Sequence, residues 1–206
     1  MIVQEVIIMN EIILELEYGN LISNKSFENL EITNYDFTKI EFEQVNFNNC
    51  RLINCKFSNG LFYKTQFYKC DLSNSNFEDS SFVESSLFDC KILGGSFIKS
   101  NFKKVKINNS FFKYANFSTS QMKETIIENS DFSEVSFSEA KFLKTTIKNL
   151  NLVGADLFKS SLKGMDFSTS SIEGIIVSNN LEELKGTKVN AEQATDLIQM
   201  FGIKVV

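Results

Sequence analysis

The chain has 206 residues, with 21 Lys and Arg against 26 Asp and Glu and a formal net charge of −5. That length suits one domain with a core of its own, and the acidic balance gives no reason to expect direct nucleic-acid binding. The absence of histidine excludes Ser-His-Asp and Cys-His catalysis and imidazole metal sites.

Residues 1–20 form a candidate N-terminal cap. Ile12-Ile13-Leu14-Glu15-Leu16-Glu17 reads as a strand crossing the N-terminal end of the segment that starts at Leu21, and Met9 offers an alternative start that makes residues 1–8 dispensable. Glu5, Glu11 and Glu15 interrupt the apolar start and no basic segment precedes it, so it does not resemble a signal peptide. No apolar run reaches membrane-spanning length, and a cytoplasmic location without membrane contact is expected.

From Ile22 to Val177 every fifth residue is apolar. The 32 positions hold 17 Phe, 7 Ile, 6 Leu, one Met and one Val. An α-helix turns through about 500° in five residues and smears such a set around its surface. On a strand, an odd period sends successive members to opposite faces. A backbone that turns a corner every five residues points them all inward. Four corners close a square coil of about 20 residues, and coils stack at about 4.8 Å, the spacing of paired strands. Residues 21–180 then form about eight uninterrupted coils. Phe37, Phe57, Phe77, Phe97, Phe117 and Phe137 fall in one core column, and Phe42, Phe62, Phe82 and Phe102 in another.

Two residues before each ladder member the side chain is mostly small, as at Ser75, Ser80, Ala115 and Ala155, which suits a second inward position. Two residues after it Asn is frequent (Asn24, Asn29, Asn34, Asn54, Asn74), and Asn tolerates turn conformations. Cys50, Cys55, Cys70 and Cys90 occupy the small inward position. They read as replacements for Ala or Ser with reduced thiols, or, through the 20-residue spacing of Cys50, Cys70 and Cys90, as a redox or metal ladder.

Asn76-Phe77, Asn116-Phe117, Asp131-Phe132, Ala155-Asp156-Leu157 and Met165-Asp166-Phe167 resemble the pentapeptide-repeat family, with its consensus A-(D/N)-(L/F)-x-x. The resemblance implies an all-β fold, a right-handed quadrilateral β-helix.

After residue 180 the phase breaks at Glu182. Asn190 is a good N-cap with Gln193 as its capping-box partner. Ala191, Ala194, Leu197, Ile198 and Phe201 come next at helical spacing, and Gly202 ends the segment. Residues 181–206 therefore read as a capping helix over 190–201 with a tail, Ile203 to Val206, apt to pair as a strand. This ending resembles the C-terminus of Qnr and MfpA-type members of the family. That resemblance implies a tail-to-tail homodimer with Leu197, Ile198, Phe201, Ile203 and Val205 at the interface. The other reading is a cap that covers only its own last coil.

No glycine-rich phosphate loop occurs, and Gly94-Gly95 reads as corner geometry. Carboxylate pairs such as Glu41/Glu43 and Glu78/Asp79 lie on outward positions. No enzymatic activity, cofactor or metal is expected. Residues 20–180 hold 18 acidic and 18 basic residues, so the excess acid belongs to the ends. Sorted by column, Lys103, Lys104, Lys123, Lys141, Lys144 and Lys163 share one side of the last coils against only Glu124, with Asp131, Glu134 and Glu173 opposite against Lys113. The lysine column reads as a solvated face or as a site for an anionic partner. Leu61, Tyr63 and Val83 on one side, with Tyr68 and Phe88 around the corner, form an outward apolar cluster and a candidate partner patch.

The Qnr/MfpA resemblance implies a non-enzymatic mimic of duplex DNA that binds DNA gyrase or topoisomerase IV and modulates it or protects it from quinolones. The alternative is a structural or interaction scaffold with an unrelated partner.

Overall fold

The computed structural model describes residues 19–200 and 202–205. The expected cap strand over 12–17 and Phe201 lie outside the described residues.

The chain coils into a four-sided solenoid. One side is a seven-stranded parallel sheet whose three-residue strands run from Leu21–Ser23 to Lys141–Leu143. The next is a second seven-stranded sheet, from Ser26–Glu28 to Thr146–Lys148. Register advances by one coil per strand: Phe42 pairs with Phe62, Phe62 with Phe82, and Leu87 with Ile107. The third and fourth sides begin with Glu31–Thr33 paired to Arg51–Ile53 and continue as single bridges such as Asp71↔Lys91 and Asn76↔Ser96. There the corner closes by a turn, as in Ser80 N–H to Phe77 O at 3.2 Å.

Six 20-residue steps separate the first and last strands of each long sheet. Beyond them only bridges, Lys141↔Ser161, Asn151↔Ser171 and Asp156↔Ile176, carry the stack onward. The regular solenoid is therefore about six turns rather than eight equal coils, because ladder pairing weakens as the C-terminal segment takes over the end.

The corners explain the asparagines. The residue two after a ladder member sits in the left-handed region, with φ of 53° at Asn24, 55° at Asn54 and 56° at Asn74. One such residue between extended neighbours redirects the chain, and Asn adopts it at lower cost than most residues. Gly94 fills the same corner with φ 64°, while Gly95 occupies the small inward position, where a Cβ would come within 2.8 Å of the Ile92 side chain.

Inside, the rings of Phe57, Phe77, Phe97 and Phe117 stack nearly parallel at 4.9, 4.8 and 4.6 Å. Phe62, Phe82 and Phe102 stack at 4.5 and 4.9 Å. The two columns meet at a tilt, as between Phe77 and Phe82 at 54°. Phe37 and Phe42 start these columns, and Phe137 ends its own at a 30° tilt to Phe117.

The small inward side chains also carry hydrogen bonds. Ser85 Oγ donates to Phe62 O at 2.8 Å and accepts the Thr65 amide at 3.0 Å. A hydroxyl here bridges a corner amide and a carbonyl that would otherwise be unpaired inside the coil. Cys50, Cys70 and Cys90 donate in the same way to Phe27, Phe47 and Phe67 carbonyls at 3.4, 3.2 and 3.4 Å.

At the C-terminal end a 3-10 turn spans Glu182–Leu184 and helix α1 spans Ala191–Gln199. Asn190 caps α1 with a complete capping box to Gln193. The buried Gln193 side chain donates to the Phe167 and Ser170 carbonyls, bonding α1 to carbonyls of the last coil. The helix ends two residues earlier than periodicity predicts. Residues 203–205 form no strand, since no described backbone donates to them or accepts from them as a ladder partner.

Candidate interaction surfaces

A solenoid of this kind turns its long apolar side chains inward and presents flat sides, so function falls to the outward columns and the ends. Ion pairs along these columns obey one rule: a cation stacks on an acid one coil away. Arg51–Glu31 at 3.3 Å, Lys56–Asp36 at 3.7 Å, Lys91–Asp71 at 3.3 Å, Lys104–Glu84 at 3.2 Å and Lys113–Glu134 at 3.2 Å all conform to it. Such exposed pairs are worth about 0–1 kcal/mol each, and their main effect is to neutralise the sides they occupy.

The lysine column departs from that rule. Lys103, Lys104, Lys123, Lys141, Lys144 and Lys163 are all exposed, and Lys103 lies directly beside Lys123 in register. Of the six, only Lys104 has a carboxylate partner among the described residues. Like charges placed side by side repel.

The opposite side carries Asp131, Glu134 and Glu173 against Lys113, which pairs with Glu134, and its acids continue onto α1. Asp131 and Glu134 precede Glu173, and Glu173 shares an open groove with Glu192 and Asp196 of α1. Glu192 and Asp196 lie beyond the three acids that column sorting picks out. Only folding α1 back over the last coil brings them there.

The apolar cluster is less exposed than outward position suggests. Tyr63 pairs in register with Val83, and Tyr68 with Phe88, so the patch is continuous. Leu61, Tyr63, Val83 and Phe88 are half-buried, and Tyr68 is 42% exposed. Lys64 and Lys69 lie over the rings of Tyr63 and Tyr68 at 4.9 and 5.0 Å. Phe111 at 51% and Tyr114 at 58% are more open. Both lie on the acidic side, where Phe111 bridges Lys91 and Asp131. Phe111 is off the five-residue register, which was the available signal.

At the C-terminal end Leu197 is half-buried against the core, while Ile198, Met200, Ile203 and Val205 are exposed. The buried Glu183 was also missed by sequence reasoning. Its carboxylate accepts the Lys159 amide at 2.6 Å, the Ser178 amide at 3.2 Å and the Ser178 hydroxyl at 2.6 Å. Burial pushes its carboxyl up, but these donors outweigh that and hold it below the usual range.

Three of the buried thiols are raised above the ordinary thiol range. Contact with Cys70, then burial, pushes the Cys50 thiol far up. Cys70 is pulled down by Cys50 but raised by Cys90 and by burial, and is pushed up to about 12. Burial raises Cys55 as well. Among the described residues no three His, Cys, Asp or Glu side chains are placed to share a metal ion. No helix among them is long and apolar enough to cross a membrane.

This architecture is that of a pentapeptide-repeat solenoid. Residues 61–131 match the family described as pentapeptide repeat region, and residues 27–86 match pentapeptide repeats (9 copies). The chain belongs to the pentapeptide-repeat family. A trypsin-treated variant of QnrB1, a plasmid-mediated fluoroquinolone resistance protein, is similar to it with a TM-score of 0.52 at 20% identity, over 90% of this chain and 98% of that one. HetL, a pentapeptide repeat protein involved in heterocyst differentiation regulation from the cyanobacterium Nostoc, is 14% identical over 87% of this chain and 93% of its own, with a TM-score of 0.34. No curated protein matches the chain.

Proposed function

We propose that this protein is a non-enzymatic binding rod that associates tail to tail and engages a type II topoisomerase through its acidic side. The observation that carries the reading is the run of acids from Asp131 and Glu134 through Glu173 to Glu192 and Asp196. It ends in the groove that Met200 also lines, and Ile198, Ile203 and Val205 of the same C-terminal segment are exposed as well. Two copies joined through those apolar residues place their acidic runs about one centre, where a surface that normally receives DNA phosphates meets carboxylates instead. QnrB1, of the same fold, is a fluoroquinolone resistance protein, and that role favours gyrase or topoisomerase IV as the target. The test is a supercoiling assay with purified DNA gyrase, with and without a quinolone. The absence of both inhibition and protection at micromolar protein sinks the reading.

An interaction scaffold for an unrelated protein is the second reading. It is favoured by the open rings of Phe111 and Tyr114, which a mimic of a phosphate rod does not need.

A further inference from the structure

The stack of coils does not end in the same way on its four sides. Over most of the solenoid, one residue on each side of a coil bridges two backbone groups of the coil before it. Asp71, for example, donates its amide to Cys50 O at 2.9 Å and accepts the Leu52 amide at 2.8 Å. Near the C-terminal end the same device joins the last two coils on two sides and ties Lys188 to the last coil on a third. The Leu152 amide donates to Ser171 O, Leu157 to Ile176 O and Phe167 to Lys188 O, each at 2.8 Å. Lys188 completes its bridge by donating to Met165 O at 2.9 Å.

On the lysine side the last coil has no such bridge among the described residues, as is true of Ile175 O and Val177 N–H around the corner, and the cap meets it farther on, where the Gly164 amide donates to Gly186 O at 3.1 Å. Each corner carbonyl there accepts the first amide of the next coil, up to Ser161 N–H on Ala140 O at 2.9 Å. The next carbonyl, Ser160 O, accepts no bond, and the Leu162 amide donates none, among the described residues. The chain leaves the ladder here because Leu181 takes a left-handed φ of 52° and turns its amide to Ser178 O at 2.9 Å. The 3-10 turn follows, with its Glu183 carboxylate accepting the Lys159 amide. Ser160 O and Leu162 N–H are the pair that one residue of a parallel strand satisfies, and unpaired backbone groups in such a place are rare.

Ser160 and Leu162, themselves buried, lie at the floor of an open groove of about 790 Å³ lined also by Lys159, Lys163, Asn180 and Lys185. The acids of the groove are already engaged. Glu182 pairs with Lys185 at 2.6 Å, and the Glu183 carboxylate is held by Lys159 N–H and Ser178. The ammonium groups of Lys159 and Lys163 have no carboxylate partner among the described residues, and the Lys159 ammonium sits over the Phe158 ring at 5.1 Å. Lys163 also ends the unpaired lysine column, so positive charge continues out of the groove along that side.

We propose that this groove binds an extended acidic peptide segment, which adds one strand to the open edge. A residue of the peptide donates its amide to Ser160 O and accepts from Leu162 N–H, while carboxylates on its outward side chains meet Lys159 and Lys163. Main-chain pairing supplies binding and the lysines select acidic sequence. The site lies on the side opposite the acidic run, and it does not depend on topoisomerase binding.

The test uses the full chain and a fluorescein-labelled hexapeptide of alternating Glu and Val, read by fluorescence anisotropy. Saturable binding is expected, with none of a Lys-Val counterpart. An analogue N-methylated at its Glu amides keeps its charge but cannot donate to Ser160 O, and is expected to bind at least tenfold more weakly. The exposed pair Lys159→Glu, Lys163→Glu is expected to lower affinity at least tenfold with an unchanged circular dichroism spectrum. Three results overturn the proposal: no binding up to millimolar peptide, equal binding of the N-methylated analogue, or unaltered affinity of the double variant. A change of mass on light scattering that the double variant abolishes, without peptide, overturns it in favour of two copies pairing through the groove.

Discussion

Truncating Phe97 tests the stacked core where it is most continuous. Phe97 is fully buried, lies face to face with Phe77 at 4.8 Å and Phe117 at 4.6 Å, and meets Phe82, Phe102 and Phe112 at a tilt. Burial of a Phe side chain contributes about 1.5–3 kcal/mol, and each well-placed ring pair adds about 0.5–1.5 kcal/mol. Neighbouring rings stand on the backbone of adjacent coils and cannot collapse into the gap, so Phe97→Ala is expected to cost about 3–5 kcal/mol. Among the described residues Phe27 stacks on one ring only, Phe47 at 5.3 Å and 28°. Phe27→Ala is therefore expected to cost less than Phe97→Ala, by about the value of one ring pair. Urea denaturation monitored by circular dichroism measures both. Because contacts in a solenoid are between nearest coils, the Phe97 variant is also expected to unfold less cooperatively. A loss below about 2 kcal/mol at Phe97, or equal losses at the two sites, refutes the reasoning that ring stacking adds to burial.

Glu183→Ala leaves the Lys159 and Ser178 amides without their acceptor and is expected to lower stability by about 2–4 kcal/mol at neutral pH. The folded Glu183 carboxyl is held below its unfolded value of about 4.3. Its contribution is thus complete above that pH and fades as pH falls through the lower folded value, so the wild-type advantage in urea should shrink in acid. An advantage that is constant down to pH 2 counts against the carboxylate as acceptor. The four cysteines are buried and free, with Cys50, Cys55 and Cys70 raised in pKa. A chromogenic disulfide reagent is expected to find no fast-reacting thiol in the native protein and all four in urea. Rapid native reaction would revive the redox ladder. For the tail-to-tail association, Ile203→Asp with Val205→Asp is expected to halve the mass seen by light scattering, and an unaltered mass argues against that interface.

The acidic run and the lysine column also bear on assembly and on partner choice. The charges of residues 20–180 sum to zero, yet the acidic run and the lysine column sit on opposite sides of one rod. Charge-reversal variants on one side are therefore expected to leave partners of the other undisturbed, which allows the topoisomerase reading and the peptide reading to be tested apart.

The sequence by itself determined the coil. A strict five-residue apolar period is incompatible with a helix or a flat strand, and the small inward and Asn-rich corner positions stem from the same spacing. The capping box of Asn190 and Gln193 was equally legible, because it is local. What only the tertiary structure decided lies at the end of the stack and on its outer surface. Leu181 leaves the ladder, the 3-10 turn brings Glu183 under Lys159 and Ser178, and α1 carries Glu192 and Asp196 beside Glu173. Periodicity places residues in columns but says nothing of how far each side chain stands out. Tyr63 and Phe88 are therefore half-buried while Phe111 and Tyr114 are open. The open pair at Ser160 and Leu162 is the clearest case, since an unpaired hydrogen bond belongs to two coils at once and leaves no mark in either segment's sequence.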